Sequence, residues 1–363
     1  MKNNTYVENA WFVAGRSQEF PVDQPKGCKI AGKPVLVWRT RSGEVCSFDD
    51  RCVHKRMPLS EGRVLEDGVL ECPYHGFCYD AAGNCQRIPS QLDMPIPTKA
   101  KLRSIPLVEQ DGLVWVWTGD PSMVGNVEPP RTPEIAGADW DTHMFEPLHV
   151  KANYLLLIEN LIDITHFYPL HDGNIGDIEQ SKIPVQVVEE TKWGVPTVKT
   201  VREVKNYHQP PFMRDWWGVP EVDRWHTHHM ICPGLTRVEL RCAPPGKLGQ
   251  VGHEFGYVIH HAHTPVDGTS HDWRLWVSTR SGTRSASDAS KSCTQHISET
   301  FPAVMEEDLW ALERQQQMFA YPDDDYSEVF LRSDQALICV RKIIVDLEKG
   351  NRSNKTVFIQ QVA

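Results

Sequence analysis

The chain has 363 residues, a formal net charge of −10, 40% hydrophobic and 24% charged residues. That composition describes a globular protein long enough for two domains, and the acidic balance argues against nucleic acid or an anionic membrane as a main partner. No apolar run approaches the roughly 20 residues that span a bilayer. The N-terminus lacks the apolar core of a secretory signal and the ten cysteines are scattered. Both point to a reducing cytoplasmic setting, with cysteines as thiols or metal ligands. In chain order, residues 1–120 read as a β-rich module. Short apolar runs at Cys28–Ile30, Val35–Trp38, Glu44–Phe48, Gly68–Leu70 and Leu113–Trp117 are broken by turn signals such as Arg41-Ser42-Gly43 and Gln110-Asp111-Gly112. Spacing of this kind suits a small sandwich or barrel.

Two loops of this module carry chemistry. Cys52-Val53-His54 and Cys72-Pro73-Tyr74-His75 together read C-x-H-x17-C-x2-H. Two thiolates and two imidazoles can close a tetrahedral zinc site, or hold a [2Fe–2S] cluster with cysteine on one iron and histidine on the other. One cysteine and one histidine per loop favours the cluster, because each iron then takes one ligand from each loop. Residues 121–145, rich in proline and glycine, read as a linker.

The stretch from Asn153 to His171 reads NYLLLIENLIDITHFYPLH. Asn153 is a candidate N-cap for an apolar helix. Asn160, Asp163 and His166 lie three apart, close to one side of a continuing helix. His171 follows five residues after His166. A regular helix would point those two rings apart, so a wide turn or a helix end near Pro169 is needed for them to converge. Two imidazoles and one carboxylate from elsewhere make the facial triad of non-haem Fe(II).

After residue 180 strands return at Val185–Val188, Thr197–Val204 and Thr236–Cys242. A hairpin of His253–His263 and His271–Ser278 turns across Pro265–Thr269. Trp216, Trp217, Trp225, His226, His228 and His229 form an aromatic and imidazole group that reads as packed core or as a pocket wall. Arg237 and Arg241 read as solvated strand residues, with pairing to a substrate carboxylate as the alternative. A helix from about Pro302 carries Glu306, Glu307 and Glu313 as solvated charge. A last helix, Gln335–Glu348, follows a candidate cap at Ser333 and ends before Gly350.

CVHKRMPLSEG…CPYHGFCYD resembles the cluster loops of Rieske non-haem iron oxygenases, and NYLLLIENLIDITHFYPLH resembles their mononuclear-iron helix with its N-x-x-D-x-x-H-x4-H pattern. EEDLWALERQ matches the family's E-D-x-x-x-x-E-x-Q segment. Within the family the chain is similar to the compact demethylase branch of vanillate O-demethylase, dicamba monooxygenase and related N-dealkylases. The resemblance implies an α+β protein with three parts. These are an N-terminal all-β Rieske [2Fe–2S] domain (1–120), the linker (121–145), and a catalytic mononuclear-iron domain of antiparallel sheet plus helices, helix-grip-like (146–363). It implies that Cys52 and Cys72 hold one cluster iron and His54 and His75 the other. His166, His171 and Asp308 would hold the mononuclear Fe(II). Asn160 would lie beside the iron, and Asp163 would bridge to the cluster histidine of a neighbouring subunit in a head-to-tail homotrimer. His261 and Trp217 are candidate substrate contacts, His261 by similarity to a pocket position of dicamba monooxygenase. The implied activity is O2- and NAD(P)H-dependent O- or N-dealkylation of a small aromatic compound with aldehyde release. With no GxGxxG or flavin motif, electrons would come from a separate flavin reductase, with or without a ferredoxin. A ring-hydroxylating dioxygenase and a non-enzymatic Rieske electron carrier are the alternatives.

Overall fold

The computed structural model describes residues 6–125, 127–192, 195–321 and 327–349. Ten short strands come first: β1 (Trp11–Arg16), β2 (Lys26–Ile30), β3 (Lys33–Arg39), β4 (Val45–Asp49), β5 (Arg63–Val64), β6 (Leu70–Glu71), β7 (Cys78–Tyr79), β8 (Cys85–Arg87), β9 (Leu107–Gln110) and β10 (Leu113–Trp117). They pair antiparallel into three small sheets ordered β1-β10-β9, β2-β3-β4 and β5-β6-β7-β8. Strand β10 is buried along its whole length, which is why Leu113–Trp117 has no polar alternation.

The segment read as a linker is not all irregular. After a short helix α1 (Pro133–Ala136), Trp140–Met144 forms β11, which pairs with the last strand of the large sheet. Its few apolar residues hid it, because it is an edge strand with no fully buried residue. The rest follows as β12 (Leu148–Val150), α2 (Tyr154–Ile162), α3 (Phe167–Leu170), α4 (Ile178–Ser181), β13 (Gln186–Lys192), β14 (Val195–His208), α5 (Pro211–Trp217), β15 (Glu221–Cys232), β16 (Leu235–Ala243), β17 (Phe255–Asp267), β18 (Ser270–Arg280), α6 (Cys293–Thr300), α7 (Pro302–Met318) and α8 (Gln335–Glu348). Strands β11 to β18 make one antiparallel sheet ordered β11-β18-β17-β16-β15-β14-β13, with β12 also on β18. The α+β class is as expected, and helices lie against a single large sheet. The α8 cap is Asp334 rather than Ser333, because a 3-10 turn over Arg332–Asp334 precedes the helix and the Asp334 carboxylate accepts from the Leu331 N–H at 2.6 Å. The expected stop at Gly350 and the rest of the tail lie outside the described residues.

One apolar core runs through both halves, joining Phe12, Trp115 and Val116 to Tyr154, Met230, Leu235 and Trp276. Backbone joins the halves too: Thr264 Oγ1 donates to the Val13 carbonyl at 2.7 Å, and the Ala31 N–H to the Pro265 carbonyl at 2.7 Å. Gly234 sits where a Cβ would come 2.5 Å from the Trp11 carbonyl oxygen, so no larger residue fits this approach. Helix α2 is held against α8 by an ion pair. Arg341 donates from Nε and Nη2 to the two Glu159 oxygens at 2.6 and 2.8 Å, and Glu159 is 8% exposed. Burial pushes the Glu159 carboxyl up and Arg341 pulls it back, so the pair keeps the charge tolerable.

Arg341→Met is expected to leave that carboxylate buried and unpaired and to cost about 3 kcal/mol in chemical denaturation of the holoprotein. A loss under about 1 kcal/mol would show that the pair is screened like a surface bridge.

Candidate metal centres

In the N-terminal module the two loops have the same build. The Cys52 N–H donates to the Met57 carbonyl at 2.9 Å and the Cys72 N–H to the Phe77 carbonyl at 2.8 Å. Four residues after each cysteine stands a left-handed residue, Arg56 (φ 58°) and Gly76 (φ 72°), which turns each loop back. A Cβ at Gly76 would also meet Pro89 Cγ at 2.8 Å. The loops bury Cys52 and Cys72 and leave His54 and His75 exposed at the tip, ring centroids 4.3 Å apart. Asp50 braces the first loop, accepting from the Leu59 and Ser60 N–H groups at 2.7 and 2.8 Å and from the Ser60 hydroxyl at 2.6 Å. The Tyr79 hydroxyl lies 3.2 Å from Cys52 Sγ. Burial pushes the Cys72 thiol up, so a thiolate here needs a cation beside it. Buried sulfurs under exposed imidazoles fit a [2Fe–2S] cluster with its histidine edge at the surface.

The second centre depends on where α2 stops. Asn153 caps it as expected, accepting from the Leu155 N–H at 2.9 Å. The helix does not continue through Asp163. The Asp163 carboxylate accepts from the Thr165 N–H and hydroxyl at 2.8 and 2.6 Å, and its own backbone is extended (φ −89°, ψ 100°). The local side-chain bonds outcompete the helical ladder. So Asn160 and Asp163 do not share one helix face with His166, contrary to the expected continuing helix. The chain restarts as α3, and the turn brings the His166 and His171 rings to 5.2 Å between centroids.

Helix α7 delivers Asp308 to the same point. His166 Nε2 and His171 Nε2 lie 3.8 and 3.2 Å from Asp308 Oδ1, and one ligand atom from each of the three residues lies within 4.8 Å of the others. Among the described residues this is the one such group outside the cluster loops. Asn160 Nδ2 donates to Asp308 Oδ1 at 3.0 Å, while its own Oδ1 is buried without a partner. A metal ion held between two imidazoles and a carboxylate would compensate the buried Asp308 charge. The other nitrogens are occupied: His166 Nδ1 meets the Asp163 carbonyl, and His171 Nδ1 lies 2.6 Å from Glu307 Oε2. That leaves Nε2 of both rings facing inward. Burial lowers the His166 pKa. In His171 burial acts the same way, but Asp308 and Glu307 outweigh it and raise the value.

Glu307 is therefore not solvated charge. It fixes His171 and also accepts from Asn174 Nδ2 at 2.8 Å. Glu313 also has a partner, the Lys151 N–H at 3.1 Å. The sequence signal for Glu307 was its place directly before Asp308 on a helix that must face the histidines. Arg237 pairs with Glu134 and Glu239, and Arg241 with Glu254, so neither is left to bind substrate. His261 is buried, accepting from Trp273 Nε1 at 3.2 Å. Trp217 stacks on Tyr257 at 5.9 Å and lies 5.5 Å from Phe255. Asp163, Asn160 and His166 border a cavity of about 630 Å³ that Met318, Phe319 and Leu337 also line.

The comparisons agree with this pairing of centres. The description "Vanillate O-demethylase oxygenase C-terminal domain" matches residues 150–350, and "Rieske [2Fe-2S] domain" matches residues 10–104. The chain belongs to the vanillate O-demethylase oxygenase family of Rieske non-haem iron oxygenases. The vanillate O-demethylase oxygenase subunit of Pseudomonas sp. (strain HR199 / DSM 7063) is 30% identical over 88% of this chain and 88% of its own. The chloroacetanilide N-alkylformylase oxygenase component of Rhizorhabdus wittichii (strain DC-6 / KACC 16600) is 28% identical over 98% and 99%. The fold superposes on dicamba monooxygenase bound to 3,6-dichlorosalicylic acid with a TM-score of 0.84 and 26% identity, covering 95% of this chain and 98% of that one. This family member is an oxidoreductase whose cofactors are a Rieske cluster and a mononuclear iron. As the oxygenase component of a multicomponent system it draws electrons from partner proteins. Among the described residues no helix is long and apolar enough to cross a membrane.

Glu307→Ala is expected to free the His171 ring and weaken mononuclear iron binding by about 10–100-fold. Iron retention against a chelator checks it, with the visible spectrum of the cluster unchanged; full retention would show that Glu307 does not hold the ligand.

Proposed function

We propose that this chain is the terminal oxygenase of a monooxygenase that removes an alkyl group from oxygen or nitrogen of a small aromatic compound, with release of an aldehyde. The convergence of His166, His171 and Asp308 in a chain that also carries paired cysteine–histidine loops carries this reading. An electron carrier has no use for a second, buried set of donors. Dealkylation is supported by relatives named vanillate O-demethylase, dicamba O-demethylase and chloroacetanilide N-alkylformylase.

In this reading Cys52, Cys72, His54 and His75 hold the cluster, and His166, His171 and Asp308 hold the iron. When bound, the cluster delivers single electrons and the iron directs O2 at a C–H bond next to the heteroatom. The chain's own groups set the conditions. Glu307 holds the His171 ring, and Asn160 steadies Asp308 through its amide. Phe167 packs against both imidazoles and limits the positions their rings can take. His261 and Trp217 are assigned to the substrate side of the sheet.

Asp163 is assigned to the route between centres. It borders the open cavity beside His166, and the cluster histidines sit exposed at the opposite module's tip. A head-to-tail homotrimer would set one subunit's His54 or His75 against the next subunit's Asp163. We assign 1–120 to the cluster module, 121–145 to the linker and 146–363 to the catalytic part, with the linker ending where β11 begins. A reducing cytoplasm suits ten cysteines, all of them unpaired.

Under O2 with a surrogate reductase, a panel of methoxybenzoates, N-alkyl anilides and unsubstituted arenes should give aldehyde one-for-one with NADH. A cis-diol without aldehyde would instead make the protein a ring dioxygenase. Asp163→Asn is expected to keep both metals and lose turnover by roughly two orders of magnitude. Coupled turnover at the normal rate in that variant would remove Asp163 from the route.

A further inference from the structure

The N-terminal module differs in charge from the rest of the chain. Residues 10–104 carry 14 lysines and arginines against 11 aspartates and glutamates, whereas the whole chain has a net charge of −10. The cations gather beside one cluster loop. Arg51, Lys55 and Arg56 flank Cys52 and His54 in the first loop, and all three are exposed. Arg103 joins them from a neighbouring segment. Its carbonyl accepts from the Asp49 N–H at 3.0 Å, and it borders the same groove as Asp49, Arg51 and Lys33.

Little negative charge answers them. Asp49 holds Arg51, Oδ1 to Nε at 2.7 Å, and Asp50 accepts from the Leu59 and Ser60 amides. Glu61 is the one carboxylate of residues 49–61 without such a partner among the described residues. Lys55, Arg56 and Arg103 have no carboxylate within ion-pair distance among the described residues. Exposed cations need no partner for stability. A group of one sign on a chain of the opposite net charge instead sets a local field that steers an oppositely charged protein.

The second loop has a different surround. Tyr74 is 63% exposed, and Leu92 and Met94, 73% and 61% exposed, follow Pro89, which lies against Gly76. The nearby cations are paired, Arg63 with Glu71 at 2.7 Å and Arg87 with Asp67 at 3.4 Å, and Asp93 adds a negative charge. The rings differ too: His54 stacks on Phe77 at 5.0 Å and 9°, while His75 lies beside the exposed Tyr74 ring at 3.9 Å. The cluster therefore has two edges of unlike chemistry, one cationic and one apolar. In the head-to-tail trimer proposed above one edge faces the next subunit, so an electron donor needs the other.

We propose that Lys55, Arg56 and Arg103 form the docking surface for an acidic [2Fe–2S] ferredoxin, whose electron enters the cluster at the His54 edge. The donor is oxidised by one electron and the cluster reduced by one; no bond forms or breaks. The proposal rests on the cluster reading of the two loops and not on the dealkylation chemistry.

Stopped-flow reduction of the oxidised holoenzyme by a reduced plant-type ferredoxin, itself acidic, tests it through the visible absorbance of the Rieske cluster. The rate should fall about tenfold or more between roughly 20 and 300 mM salt, because screening removes the steering. A rate that ignores salt, or that rises with it as the net charge of −10 alone demands, overturns the docking surface. Lys55→Gln and Arg103→Gln should each slow low-salt reduction about threefold, and Lys55→Glu and Arg103→Glu about tenfold. Lys247→Gln, on an exposed turn of the catalytic half, should match wild type. Wild-type rates in both charge reversals overturn the proposal. Every variant is also reduced with photoreduced deazaflavin, a neutral reductant, where rates should not change; if Lys55 variants slow there too, their cluster is altered and Arg103, outside the loop, decides. A chain that takes up no cluster loses the cluster reading and the proposal together. A chain reduced equally at all salt concentrations keeps its cluster and loses only the docking surface.

Discussion

A single buried carboxylate ties the catalytic half together. Asp308 comes from α7 and meets the Asn160 amide from α2 and the two imidazoles on either side of α3. Buried charge is tolerated only where partners converge on it, so three separate elements must hold a common geometry. The contacts do not end with the donors. Glu307 locks His171, and Asn174 in turn steadies Glu307. Such a shell costs side-chain freedom and returns a fixed donor set, which a redox centre requires.

The break in α2 makes this possible. A helix through residue 171 would have pointed the two rings apart. Asp163 ends it by bonding Thr165, and the same residue then stands at the lip of the open cavity. One side chain thus has a local role in the backbone and a proposed role between subunits. The shared core fixes the rest, since Trp115 and Trp276 belong to one apolar body and the N-terminal module is packed against the large sheet rather than tethered to it.

The charge balance inside the sheet is the unusual feature. Most buried polar groups here are satisfied by neighbours in the chain: Thr236 by His263, Trp273 by His261, Arg237 by two carboxylates. Arg202 and Arg224 are not fully satisfied, nor are Arg274 and both ring nitrogens of His260, and the first two stand on the sheet face that packs on the end of α2.

Much of this protein was legible in the sequence. Donor spacing in the two loops, the Asp and His pattern after an apolar helix, and the E-D segment are local properties, so residue order together with the family resemblance singled out both candidate centres and the α+β class. Residues whose meaning depends on distant partners were not legible. Glu307 looks like any exposed helical charge until the fold brings α7 against His171, and Arg237 looks free until Glu134 arrives from over a hundred positions earlier. Strand β11 was hidden because its pairing energy comes from β18, far along the chain. The buried arginines escaped for the same reason: a strand pattern shows which residues share a face, and only packing decides which of them lose water and find no partner.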